Sequence, residues 1–151
     1  MGRRGHLAAA SNETLARLMA DHDALVDFAY PNGGESDPEN HVHLCKSFDR
    51  LHCLLTGVAR GGQPPLSLAV MGGEEFGANI DQGRARVVTS DQVADIAKAL
   101  EALSVDTLTA RYSTLAYPVG GLDSYLEIFR EMVVVYRGAA ARGDAVIQWI
   151  T

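Results

Sequence analysis

The chain has 151 residues, 47% hydrophobic and 21% charged, with a net charge of −6 and a pI near 5.2. That length and balance fit one globular domain and exclude wholesale disorder. The 13 basic residues are scattered among 19 acids, and no apolar run approaches the roughly 18–20 residues that cross a bilayer; neither nucleic acid nor a membrane is an expected partner.

Along the chain, residues 4–10 read as a short strand ending at Ser11, which can cap a helix carrying Glu13 in its first turn. Leu15, Leu18 and Met19 give that helix one buried face, and a further helical turn runs through Leu25, Val26 and Phe28. Pro31-Asn32-Gly33-Gly34 stops it, and residues 31–43 read as a polar, mobile loop. A helix over 46–57 follows, with Phe48, Leu51, Leu54 and Leu55 toward the core and Gly57 as terminator.

After the Gly61-Gly62-Gln63-Pro64-Pro65 connector, residues 66–71 read as a buried strand halted by Gly72-Gly73. Arg86-Val87-Val88 is a second short strand. It feeds Thr89 and Gln92, spaced as a capping box, and then a stripe of Val93, Ile96, Ala97, Leu100 and Leu103. Residues 122–141 repeat that helical pattern, Gly143 is placed for a left-handed cap, and residues 145–150 close as a strand. The class is α+β, one compact domain with a small mixed β-sheet packed by helices. Leu51, Leu55, Ile96, Leu100, Phe129 and Val133 are expected to share one core.

Three constellations invite chemistry. His41, His43, Cys45, Asp49 and His52 offer nitrogen, sulfur and oxygen donors, but no pair has the usual spacing for zinc. Solvated loop histidines are the better reading, so no metal and no cofactor are expected. The glycine-rich Met71–Gly77 stretch lacks the Gly-Lys-Ser/Thr ending of a phosphate loop and reads as a turn. His52 lies at the edge of a core face, where partial burial with a hydrogen bond to backbone or to a carboxylate is the plain reading and acid–base work in a cleft the sharper one. Lys46 and Ser47, ahead of Asp49 in the first turn of the 46–57 helix, are expected to border one polar cleft with His52 and Arg86. The binding residues expected are therefore Lys46, Ser47, Asp49, His52 and Arg86.

Three segments resemble the YfbM-like family, a domain of unknown function (DUF1877). Lys46-Ser47-Phe48, Leu51-His52 and Leu54-Leu55-Thr56-Gly57 are similar to that family's Lys-Ser-Trp, Leu/Ile-His and Leu-Leu-Thr-Gly pattern. Gly72-Gly73 through Gly83, Ala85-Arg86, Thr89 and Val93 resemble its Gly-Gly turn, its Gly-Pro-Ala-Arg segment and a helix start. Tyr136, Ala139-Ala140 and Gly143-Asp144-Ala145-Val146 resemble its C-terminal helix and strand. Phe48 stands in place of the tryptophan, Cys45 where an acid is common, and Arg84 in place of the proline. The resemblance implies a YfbM-like α+β fold and no catalytic residue.

The chain is therefore expected to be a small-ligand or protein-partner binding module. An immunity-type inhibitor of a basic toxin is one case, because acidic surfaces suit basic partners. The alternative is a hydrolase or transferase built around His52. The N-terminal apolar stretch ends at Ser11, short of the roughly 7–15 residues of a signal peptide core, and Cys45 and Cys53, eight apart beside one helix, are too distant to pair. A cytoplasmic location is expected.

Overall fold

The strand Ala145–Ile150 (β5) runs through the middle of a five-stranded sheet, and five of its six residues are buried. Its apolar run, interrupted only by Gln148, has the character of a strand covered on both faces. The computed structural model describes residues 3–30, 37–46, 48–115 and 120–151.

On one side β5 pairs with Gly5–Ala10 (β1), which pairs with His41–Cys45 (β2). On the other it pairs with Arg84–Val88 (β4), which pairs with Glu74–Asn79 (β3). The order is β2-β1-β5-β4-β3 and every pair is antiparallel. The α+β class holds, and the sheet is antiparallel where a mixed one was expected.

Strand alternation sends side chains to two cores. One face carries Leu7, Val42, Leu44, Val88 and Val146 under three helices: Phe48–Thr56 (α3), Ser90–Ala102 (α4) and Leu122–Arg142 (α6). There Leu51, Leu55, Ile96, Leu100 and Phe129 are buried together, with Val133 partly buried against them. The other face carries Ala8, Ala10, Val87, Ile147 and Trp149 under Asn12–Ala20 (α1) and His22–Ala29 (α2).

Local signals explain most element ends. Ser11 accepts from the Thr14 amide, Thr89 and Gln92 form the expected capping box, and Gly143 ends α6 at φ 73°, a region that glycine enters freely. Val105–Tyr112 (α5), capped by Ser104, is a helix the sequence reading does not anticipate. Met19, expected on the buried face of α1, is 52% exposed; Leu18 alone of that helix is buried.

Three expected conformations are overturned. Residues 66–71 form a 3-10 turn over Leu66–Leu68 followed by a turn through Met71, not a strand. Their amides bond locally, Ser67 to Gln63 and Leu68 to Pro65. The Leu68 and Ala69 carbonyls are taken by the Gln148 amide at 2.7 Å and the Tyr136 hydroxyl at 2.5 Å, so no strand partner is required. Likewise His41 and His43 lie in β2, not in a loop. Val42 and Leu44 alternate with them and are buried, a period-two pattern that outweighs the polar histidines. Residues 31–36 of the expected loop lie outside the described residues, and 37–40 form a turn closed by Asp37. Glu74–Gly77, read as part of a glycine-rich turn, belongs to the edge strand β3, in which only Phe76 is buried.

Candidate functional site

One row of residues crosses the sheet at a single level. Val42 lies opposite Leu7, Leu7 opposite Gln148, Gln148 opposite Arg86, and Arg86 opposite Glu75. The row is apolar at the β2 edge and becomes polar at Gln148. Gln148 is fully buried; its carbonyl accepts from the Gly73 amide at 2.9 Å while its amide holds the Leu68 carbonyl. Both ends of the 68–73 segment are thereby tied to the sheet. Tyr136 of α6 adds its bond to Ala69, and burial pushes that phenol's pKa up, so it stays a donor.

The held segment forms one wall of a cleft of about 550 Å³. Asp49 and His52 of α3 contribute a second wall, Arg60 to Gly62 a third, and Arg86 closes the sheet side, with Ser67 and Gly72 also lining it. The Arg86 guanidinium donates to the Met71 carbonyl at 2.8 Å and pairs with Glu75 at 3.3 Å. That ion pair is a half-exposed cross-strand pair, which orients more than it stabilises. His52 Nε2 lies 2.9 Å from the Gly61 carbonyl. A carbonyl only accepts, so Nε2 carries the proton and His52 secures the cleft's outer loop. His52 thus makes the backbone bond of the plain reading and also lines the cleft.

Of the expected binding residues, Asp49, His52 and Arg86 meet in this cleft. Lys46 does not: it is exposed in a turn ahead of α3, which begins at Phe48, and it is absent from the lining. Ser47 lies outside the described residues. The sequence reading passes over Arg60, Ser67 and Gln148, and takes Tyr136 only as part of the resemblance to the family's C-terminal helix. Of the three passed over, Gln148 carries a sequence signal, as the lone polar residue in an apolar strand.

A second polar cluster lies toward the β2 edge of the sheet, on the opposite face. His6 pairs in register with His43 on one side and Trp149 on the other. The His6 ring stacks on Trp149 at 5.1 Å, and His41 Nε2 stands 3.2 Å from His6 Nδ1. The zinc set considered from sequence is not assembled among the described side chains; the donors that converge are His6, His41 and His43. His6, buried in an apolar strand, is the histidine that the spacing argument omits.

Burial, then the neighbouring histidines and Arg4, lower the His6 pKa to about 4; burial and then His43 lower that of His41 to about 4. In the unfolded chain both titrate near 6.5. Between those values the unfolded state binds more protons, so stability is complete above 6.5 and falls as pH drops through the window toward 4. Denaturant unfolding in chelator-containing buffer should lose on the order of 1–3 kcal/mol across that window. A His6→Asn, His41→Gln double variant should flatten the dependence. An unchanged slope in that variant would place the acid sensitivity elsewhere.

Three comparisons bear on kinship. No curated protein matches the chain. Among solved structures, a protein of unknown function, YfbM from Escherichia coli, superposes with a TM-score of 0.71 at 20% identity, covering 98% of this chain and 99% of that one. That likeness concerns the fold. A family model, Domain of unknown function (DUF1877), matches residues 1–149, and the chain belongs to that family.

Proposed function

We propose that the chain is a small-ligand binding module, and that its ligand carries an anionic group seated in the cleft between α3, the 66–72 segment and Arg86. The observation that carries this reading is the convergence of Asp49, His52, Arg60 and Arg86 from three separate stretches of chain on one concavity of about 550 Å³. That volume lies within the range of small-molecule sites, roughly 300–1,000 Å³. Two arginines, Arg60 and Arg86, and one carboxylate, Asp49, line it, with Glu75 outside the lining paired to Arg86. Arginine suits carboxylate and phosphate groups because its planar fork donates two parallel bonds.

The hydrolase or transferase reading has less support, because the His52 Nε2 proton is committed to Gly61. The immunity-type reading rests on net charge alone. A cytoplasmic setting stays a proposal, supported by Cys53 as a free thiol.

A thermal-shift screen with inorganic phosphate, small mono- and dicarboxylates and mononucleotides tests the reading. A saturable rise in the wild-type melting temperature is expected, lost in Arg86→Gln and reduced in Arg60→Gln. Arg60 is exposed, so its variant should fold even if Arg86→Gln does not. No stabilising anion, or one indifferent to both substitutions, would refute it.

A further inference from the structure

We propose that His6, His41 and His43 form a binding site for a divalent transition-metal ion of the zinc type, held by three imidazoles with a fourth position open. This site is separate from the cleft, on the opposite sheet face and at the β2 edge, and does not depend on the ligand-binding reading.

The strand register builds it. His43 is directly opposite His6 across the β1–β2 pair, and His41, two residues along β2, projects to the same side. One nitrogen from each ring can be chosen so that all three lie within 4.8 Å of one another. Tetrahedral zinc with Zn–N distances of about 2.0–2.1 Å places its nitrogen ligands about 3.3 Å apart. The His6 Nδ1 to His41 Nε2 separation is 3.2 Å, already one edge of such a tetrahedron. The His43 ring centroid is 4.4 Å from that of His41 and 4.9 Å from that of His6, so closing the other two edges needs rotation of the exposed His43 ring rather than movement of the backbone.

The surroundings are those of a ligating histidine. His6 Nε2 is 3.0 Å from the Thr151 hydroxyl oxygen. If Nε2–H donates there, the Nδ1 lone pair faces the other two histidines, the arrangement in which an outer partner fixes the tautomer of a metal ligand. Trp149 packs flat against His6 and fixes its plane. The lowered proton affinity of His6 and His41 leaves both rings neutral at physiological pH, as metal ligation requires. Three imidazoles select late first-row ions over calcium or magnesium, which take oxygen donors. Among charged neighbours, Arg4 opposes a cation, while the Glu131 carboxylate of α6 lies within electrostatic reach of His43 and offsets it.

Tag-free, chelator-stripped protein should be titrated with Co²⁺ followed by visible absorption, and with Zn²⁺ by calorimetry. One equivalent of each is expected, with the intense visible bands of tetrahedral cobalt displaced by zinc and a melting temperature raised by the metal. His43→Asn and His41→Gln should abolish the stoichiometric signal, Thr151→Val should weaken binding by about 10–100-fold, and His22→Gln should change nothing. Denaturant unfolding in chelator checks that each variant is folded; His43 is exposed, so His43→Asn keeps the test open if His41→Gln fails to fold. No saturable binding by the wild type, or binding retained by His43→Asn and His41→Gln, would overturn the site.

Discussion

Leu100→Ala is expected to lower the free energy of unfolding by about 2–5 kcal/mol, the range for truncating a buried leucine. Leu100 is 1% exposed, on the inner face of α4 where that helix packs along α6, in the core shared by Leu51, Leu55, Ile96 and Phe129. The lost methyl groups leave a cavity between two helices tied to one sheet, where backbone can collapse little. Urea or guanidinium unfolding measures the change. A loss below about 1 kcal/mol would mean that α4 does not lock the core, and would remove the frame on which β4 and the cleft rest.

A loss of about 3 kcal/mol, with disruption of the cleft, is expected for Gly72→Ala. A Cβ at Gly72 would lie 2.2 Å from the Ser67 carbonyl oxygen and 2.7 Å from the Leu68 Cα, both backbone atoms. Neither can yield by changing rotamer. The 66–72 segment must shift, which costs at the upper end of the roughly 1–3 kcal/mol typical of overpacking. It would also strain the Gln148–Leu68 and Tyr136–Ala69 bonds that anchor that wall. Gly121→Ala is the control: nothing lies within 4 Å of its added carbon and its φ is −86°, so a change within about 1 kcal/mol is expected. Equal costs at the two glycines would show that the close approach at Gly72 has no consequence.

Helices with strong local signals were legible from residues alone. The Thr89–Gln92 capping box, the Val93–Leu100 stripe and the Gly143 cap need no partner to be recognised, because their information lies within a few residues. The 66–71 stretch shows the opposite case. Its apolar residues are packed as expected, but its conformation is set by Gln148 and Tyr136, far along the chain. β2 was obscured because histidines at alternating positions resemble a polar loop until β1 supplies the register. The helical pattern reads as continuous from Lys46 to Thr56, whereas α3 starts two residues after Lys46, at Phe48. In the cleft, Asp49, His52 and Arg86 could be grouped through helix and strand ends, but Arg60 and Ser67 lie in irregular segments that no periodicity orients.

Amide proton–nitrogen spectra of labelled protein, titrated with phosphate and then with a small dicarboxylate, test whether the concavity bounded by Asp49, His52, Arg60, Ser67, Gly72 and Arg86 takes a small anionic ligand as proposed. Saturable shifts confined to residues 49–52, 60–62, 67–72 and 86, and absent in Arg86→Gln, are the predicted result. No shifts with either anion, or shifts centred away from those residues, would contradict it.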